Sequence, residues 1–272
     1  MKWSSDAEAA VKKVPFFVRK KVRARVENDA LAAGKKMVSL ADVKAAQARY
    51  LKQMSSEIKG YQIDTCFGSG GCPNPVASCD GLLQRIEQLL QKEDLLSFLK
   101  QRVPSDIKFH HEFKVTLAEC PNACSQPQIK DIGIIGAVVP IVTEEECTLC
   151  DACVEACKDR CITIDNASKA PEIGFKCCLK CGQCIRACPS GTIGAGRKGF
   201  RVQLGGKLGR HPKLATELEG IYSDDEVLQI VKRCIEFYKK NSKHGERFAE
   251  IFKTTDFLKD LLHLNSYENG LS

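Results

Sequence analysis

Two stretches of this chain carry cysteines at the spacing of soft-metal chemistry. Cys147, Cys150, Cys153 and Cys157 follow the pattern C-x2-C-x2-C-x3-C, and Cys178, Cys181, Cys184 and Cys188 repeat it. A second kind of pair stands earlier. Cys66 and Cys72 lie in "TCFGSGGCPN", Cys120 and Cys124 in "ECPNACSQPQ", and the letters CPN return after forty-eight positions. Sixteen cysteines clustered at short gaps suit thiolate ligation of a soft metal better than a disulfide framework. Zinc sites rarely use two overlapping four-cysteine runs of this spacing. The opening MKWSSDAEAA carries charges where a leader needs an apolar run, so the expected compartment is a reducing cytoplasm.

The paired runs resemble the bacterial two-cluster ferredoxins, in which three cysteines of one run bind one cube and the fourth ligates the other. The resemblance assigns Cys147, Cys150, Cys153 and Cys188 to one [4Fe–4S] cluster. It assigns Cys178, Cys181, Cys184 and Cys157 to a second. The residues between Cys157 and Cys178 suit a crossing hairpin. Lys158 stands where Pro usually follows the fourth cysteine, which changes a turn rather than the ligand set. Cys161 and Cys177 are left over. Cys177 could exchange with Cys178 as a ligand, but a buried inert thiol is the expectation for both.

The pattern TC-x-G-x3-C, then CPN-x-C and "QPQIKDIGIIG", resembles the sirohaem and iron–sulfur domain of sulfite and nitrite reductases. The likeness covers about 60–136 and resumes in "GFRVQLGGKLGRHPKLA" and "GERFAEIF". It implies that Cys66, Cys72, Cys120 and Cys124 hold a third [4Fe–4S] cluster and that Cys124 bridges it to sirohaem iron. A ferredoxin domain inserted here is similar to the dissimilatory sulfite reductase subunits. Sirohaem is an octacarboxylate macrocycle, so its pocket needs cations. Lys114, Lys130, Arg197, Lys198, Arg201, Lys207 and Arg210 flank the motifs, and about half should be ordinary surface charges. Lys207 and Arg210 are favoured because Gly205, Gly206 and Gly209 would admit a close ligand.

Relatives in that family carry K-x-K shortly before the CPN-x-C loop. Here the matching letters are Glu112 and Lys114, and Glu119 stands where relatives have Gly. A carboxylate beside an anion pocket repels sulfite, so weak sulfite reduction at best is expected unless Glu112 faces solvent. His110 and His111 are placed to pair with Glu112 or relay protons.

These residues must be positioned by an α+β fold: a sulfite reductase-like sirohaem domain, an inserted two-cluster ferredoxin domain and an N-terminal helical module. The expected bounds are 1–56 for the module, 57–145 and 196–272 for the interrupted domain, and 146–195 for the insert. Trp3 to Gly34 reads as helix from Val11, Val14, Val18, Val22 and Val26, and Ser39 caps a second helix. The module's W-x3-AE and VP-x-FVR letters resemble the small helical domain found at the carboxyl end of the B subunit of light-independent protochlorophyllide reductase. "DIGIIGAVVPIV" reads as a buried strand, 81–101 as one amphipathic helix, and Ser223 with Glu226 as a capping box. Cys79 and Cys234 read as core.

The net charge is +7. An oxidised cube with four thiolates carries about −2, so three would bring the total to about +1. No nucleic-acid motif stands out, and the longest apolar stretch, 132–142, is too short to span a bilayer. The expected function is a redox protein passing electrons from a donor protein through two cubes to a coupled cube and sirohaem, reducing a small oxyanion. The alternatives are an electron-transfer subunit without sirohaem and a tetrapyrrole-binding or processing protein. Larger relatives contain two copies of the sirohaem-domain repeat. The single set of motifs here therefore implies a homodimer or a homologous partner subunit.

Overall fold

The computed structural model describes residues 1–253 and 257, apart from 69 and 166 and the side chains of 51–56. The part of the expected C-terminal helices beyond 257 lies outside the described residues. The chain divides into two compact units, Met1–Ile58 and Lys59–Ser272.

The first unit has two helices where one was expected over 3–34. These are α1 (Ser5–Lys12) and α2 (Phe16–Ala32). Pro15 causes the break: it has no N–H to continue the ladder and disfavours helical backbone at Val14. The interruption resets the helical phase, so Val18 is left 36% exposed while Val11 and Val26 are buried. β1 (Lys2–Trp3) pairs in parallel with β2 (Met37–Val38). α3 (Leu40–Ser56) follows Ser39, whose N–H and hydroxyl both donate to the Asp42 carboxylate, at 2.9 and 2.7 Å. Ala7, Val11, Val26, Ala30, Val38 and Val43 form this unit's core.

The second unit is built on a five-stranded sheet. In spatial order its strands are β3 (Tyr61–Thr65), β4 (Phe113–Ala118), β5 (Ile132–Val142), β8 (Ile193–Leu204) and β9 (Thr216–Glu217). β3, β4 and β5 are parallel, and β8 and β9 are antiparallel to their neighbours. Parallel neighbours need crossover connections. α4 (Asp80–Lys92) and α5 (Leu95–Arg102) supply the first, and the irregular loop 119–131 supplies the second. The single helix expected over 81–101 is broken at Asp94, which is left-handed (φ 41°) and caps α5 by accepting from Ser97 N–H. The break lets α5 backbone rest on Gly60, where a Cβ would come 2.3 Å from Leu96 N. α8 (Asp224–Asn241) opens with the expected Ser223–Glu226 capping box, and Cys234 within it is fully buried.

Side-chain alternation gives the sheet two unlike faces. Phe113, Val115, Leu117, Ile132, Ile134 and Val202 enter the main core with α4, α5 and α8. The opposite face carries one polar row across all five strands: Asp64, Thr116, Gly133, Gln203 and Glu217 are successive register partners. Lys114 and Arg201 stand in adjacent rows of that face.

Beyond Gly136 and Gly199, β5 and β8 continue as a two-stranded ribbon with an irregularity between Val138 and Pro140. The cysteine runs hang from its tip. They hold α6 (Ala152–Ala156), α7 (Gln183–Ala187) and, between Cys157 and Cys178, the expected hairpin of β6 (Ile162–Asp165) and β7 (Ala170–Ile173).

Two buried carboxylates fasten this frame. Asp131, 1% exposed, receives Lys114 N–H at 2.9 Å and the Arg247 guanidinium at 3.1 and 3.2 Å. Burial still pushes its carboxyl above the ordinary value, against the pull of Arg247. The contact ties α9 (Phe248–Ile251), next to Arg247, to the start of β5. Glu112 corrects the expectation that it faces an anion or solvent. It is 2% exposed and accepts from Lys59 N–H (2.9 Å), Gly60 N–H (3.1 Å) and Gln62 Nε2 (2.8 Å). It thereby clamps the start of β3 against β4. His111 does not pair with it. Instead His111 Nδ1 accepts Lys108 N–H within their own turn.

Arg247→Ala leaves Asp131 buried and unpaired, so the unfolding free energy should fall by about 3–5 kcal/mol, read as a lower urea midpoint at unchanged slope. Glu112→Gln should cost about 1–3 kcal/mol, and Glu112→Lys should fail to accumulate as folded protein rather than gain sulfite turnover. Wild-type stability in Glu112→Lys would contradict the clamp.

Candidate cluster and cofactor site

Both four-cysteine runs use the same backbone device. In the first, Leu149 and Asp151 are left-handed (φ 54° and 57°), and in the second so are Lys180 and Gly182 (φ 59° and 68°), at identical offsets. The first left-handed residue turns its N–H back on the leading sulfur, as in Leu149 N–H to Cys147 Sγ at 3.4 Å. Such inward amides favour an anionic sulfur. Gly182 has a further reason to lack a side chain, since a Cβ there would meet Val138 Cγ1 at 2.6 Å.

The runs exchange their last cysteines. Cys153 has Cys188 and Cys147 as neighbouring thiols, whereas Cys184 has Cys178, Cys181 and Cys157. A cavity is lined by Cys157, Cys178, Cys181 and Cys184 with Pro140 and Gln183. Burial, then Cys178 and Cys181, pushes the Cys184 thiol up to about 11. Burial acts upward on Cys188 too, but hydrogen bonds from Ile193 N–H and Ser190 outweigh it and leave that thiol below its ordinary value. Thiols that resist ionisation singly are ionised together when a metal centre takes the protons' place. Among the described residues, no three His, Cys, Asp or Glu side chains close on a single ion.

The CPN loop lies on the polar face of the sheet. Thr116 Oγ1 donates to Ser125 O (3.4 Å), and Ser125 Oγ to Leu117 O (2.7 Å). Left-handed Ala123 and Gln126 (φ 52° and 59°) fold the loop back. It brings Cys120 among Cys72, Cys66 and Cys124, and burial followed by these thiols raises the Cys120 pKa. Cys120 is buried and Cys124 is exposed. Glu119 lies under the loop. It is 3% exposed, its N–H meets Cys66 Sγ at 3.3 Å, and its Oε1 accepts Cys79 N–H at 2.9 Å. Its Oε2 is buried without a partner among the described residues. Cys79, 1% exposed, is core as expected.

The candidate cations divide. Lys130 pairs with Asp64 (2.7 Å), Arg197 with Glu226 (2.9 Å), Arg201 with Glu217 (2.5 Å) and Lys207 with Glu250 (2.6 Å). Lys198 and Arg210 are exposed. Lys114 is half-buried on the polar face. Burial, then Arg247 and Lys130, depresses its ammonium pKa, and among the described residues no carboxylate lies within ion-pair range of it. Two of the three glycines expected to admit a ligand admit protein instead. A Cβ at Gly205 would strike Phe252 at 2.5 Å, and one at Gly206 would strike Gln128 O at 2.5 Å. Those contacts seat the Lys207–Lys213 loop beside the CPN loop, where Ala215 N–H donates to Gln128 O. Burial holds the His110 and His111 imidazoles below their ordinary pKa. Gln203 was not singled out from sequence. Its Oε1 is buried in the polar row without a partner among the described residues, and strict alternation through "FRVQL" was the available signal.

One strand joins the two thiol regions. Val138 of β5 forms a parallel bridge with Cys181, and its N–H donates to Lys180 O at 2.9 Å. Two residues earlier, Gly136 packs on the CPN loop so closely that a Cβ would lie 2.5 Å from Glu119 O. Two residues of strand span about 7 Å.

A family model described as "Nitrite and sulphite reductase 4Fe-4S domain" matches residues 59–259, and one described as "Proto-chlorophyllide reductase 57 kD subunit" matches residues 3–47. The chain is 30% identical over 198 residues to the coenzyme F420-dependent sulfite reductase of Methanocaldococcus jannaschii, covering 72% of this chain and 29% of that protein. It is 28% identical over 190 residues to a subunit of the anaerobic sulfite reductase of Salmonella typhimurium, covering 67% and 50%. Over 40 residues it is 60% identical to a subunit of the light-independent protochlorophyllide reductase of Pelodictyon phaeoclathratiforme, covering 15% and 8%. It thus spans half or less of the length of these relatives. No helix among the described residues is long and apolar enough to cross a membrane. From the match over 59–259 and the thiol sets it contains, this chain belongs to the nitrite and sulphite reductase 4Fe-4S domain family.

Proposed function

We propose that this chain is a reductase subunit holding three [4Fe–4S] clusters and sirohaem. Cys147, Cys150, Cys153 and Cys188 would hold one cluster, Cys157, Cys178, Cys181 and Cys184 a second, and Cys66, Cys72, Cys120 and Cys124 the third, and together they would supply electron transfer from a donor protein. The observation that carries this reading is the β5 segment from Val138 to Gly136, which sets the second thiol set about 7 Å of strand from the CPN loop. The donors suit the groups. Twelve thiols gather in sets of soft ligands, and the polar face offers Lys114 to an anionic macrocycle.

Sirohaem, where bound, supplies an iron at which a small oxyanion such as sulfite or nitrite is reduced. The chain's own part is electrostatic. Lys114, without a carboxylate partner among the described residues, offsets negative charge on the polar face, and Cys124, exposed at the loop tip, presents its sulfur outward. Arg201 and Lys207 would bind a macrocycle carboxylate only in competition with Glu217 and Glu250, which hold them here. That competition supports the second reading, an electron-transfer subunit without sirohaem, in which those pairs stay closed.

Anaerobically purified protein should contain about twelve irons per chain beyond haem iron, an extractable chlorin-type macrocycle, and magnetic coupling between them that Cys124→Ser abolishes while sparing the ferredoxin signals. About eight irons would leave the CPN set empty, and a macrocycle-free preparation would favour the second reading. Light scattering of holoprotein should give at least two chains, or one chain with a homologous partner; a sirohaem-loaded monomer would contradict this.

A further inference from the structure

Of the four thiols outside the three sets, Cys79, Cys161 and Cys234 are buried, and Cys177, against expectation, is exposed. The larger feature that reduction leaves unused is a corner of the N-terminal unit, where α1 ends and α2 begins. Pro15 turns the chain there, and the first turn of α2 presents Phe16 and Phe17 to solvent, 81% and 74% exposed. Their rings meet edge to face at 5.7 Å, so the two make one compact apolar tip. Pro15 and Val18 extend it at the surface. Neither ring belongs to the unit's core. Adjacent large apolar side chains left in water and rimmed by charge mark an interaction surface.

The rim is cationic. From Ala9 to Val26 the sequence holds seven Lys and Arg and no Asp or Glu. Arg19 is engaged by the carbonyls of Lys12 and Val14, and Arg23 by Glu8. Lys12, Lys13, Lys20 and Lys21 are exposed, and the unit's ion pairs engage Glu8, Glu27, Asp29 and Asp42 with other cations. Helical spacing sets Lys20 one turn behind Phe16 and Lys21 one turn behind Phe17, about 6 Å along the axis. A bilayer has the same order and nearly the same spacing, with hydrocarbon beneath a headgroup layer about 5–8 Å deep. The first turn of α2 has no acidic residue and no side-chain cap, so the helix dipole adds positive charge at the tip. Composition selects among anionic partners. Lys is depleted from protein interfaces, and Phe has no group with which to hydrogen-bond a polar partner. Phe together with Lys is the composition of surfaces that enter the lipid interface.

We propose that the α1–α2 corner is a peripheral membrane-binding surface, in which Phe16 and Phe17 insert at the acyl boundary of an anionic bilayer while Lys12, Lys13, Lys20 and Lys21 bind its phosphates. The surface belongs wholly to the N-terminal unit, so the cofactor content of the second unit does not enter. Anaerobically purified full chain is centrifuged with sucrose-loaded vesicles of phosphatidylcholine, with and without phosphatidylglycerol. It should sediment with the phosphatidylglycerol vesicles and not with phosphatidylcholine alone. Raising salt from roughly 0.1 M to roughly 1 M should release it, because the screening length falls from about 10 Å to about 3 Å. Phe16→Ser combined with Phe17→Ser should lower the partition coefficient about tenfold or more, as both rings lose their burial. Lys20→Gln and Lys21→Gln should each lower it about fivefold. Lys36→Gln, at an exposed lysine past the other end of α2, should leave it almost unchanged. Insertion itself is read with Phe16→Trp, whose emission should shift to the blue on anionic vesicles beyond any change from Trp3. Absence of sedimentation, equal sedimentation with phosphatidylcholine alone, binding that survives loss of both phenylalanines, or binding without the blue shift would each overturn the proposal. Retention on heparin without vesicle binding would overturn it too, and would make the corner a site for a soluble polyanion.

Discussion

The second unit depends on what β5 must do at once. It pairs with β4 on one side and β8 on the other, so its backbone groups are committed along the sheet. Its core-facing residues are β-branched, as a strand covered on both faces requires. It has Gly133 on its polar face and Gly136 on its core face, and each lets a segment of the CPN crossover come into contact: Pro127 O would lie 2.5 Å from a Cβ at Gly133, and Glu119 O 2.5 Å from one at Gly136. Larger residues would lift the loop and separate Cys120 and Cys124 from Cys66 and Cys72. The same strand, running on past the sheet, carries the paired cysteine runs. One element thus sets the spacing between all three thiol sets.

The carboxylates around this strand show why local sequence comparison misleads. Glu112 and Glu119 occupy positions where a cation and a glycine are expected, and both read as charges beside an anion pocket. Each is instead buried and hydrogen-bonded by backbone N–H groups. A carboxylate so held is oriented by the frame, and it fixes β3 and the CPN loop. Glu112 and Lys114 have the same strand parity, yet one is tied at the sheet's end while the other projects beside the CPN loop. Two residues of sequence separate a structural group from a functional candidate.

What was legible in the sequence was local. The repeated cysteine spacing anticipated two alike turns, and the left-handed residues of the two runs do recur at the same offsets; the exchange of Cys157 and Cys188 between sets came from the ferredoxin resemblance. The β5 strand and the α8 capping box were equally local. The breaks at Pro15 and Asp94 were missed for different reasons. Pro15 was a visible signal overridden by the valine stripe, whereas Asp94 is forced by the approach of α5 to Gly60, a contact distant in sequence. The pairing of Arg201 with Glu217 and of Lys207 with Glu250 depends on tertiary neighbours, so the list of candidate cations could be written from sequence but not sorted.

Charge bookkeeping over the whole chain conceals a division between the units. Residues 1–58 contain 13 Lys and Arg against 6 Asp and Glu, and the remainder contains 28 of each. The entire net charge of +7 therefore resides in the N-terminal unit, while the cysteines all lie in the other. Three oxidised clusters would leave the second unit at about −6, rather than nearly neutral as the chain total suggests. Exposed charges are screened beyond about 8–10 Å at ordinary ionic strength, so the neutralisation of cluster or macrocycle charge falls to groups within that range. The local agents are inward backbone N–H groups at the left-handed turns and the cations of the polar face. This gives Lys114 its importance: it is a half-buried cation within a unit whose positive charge is otherwise balanced by its own carboxylates.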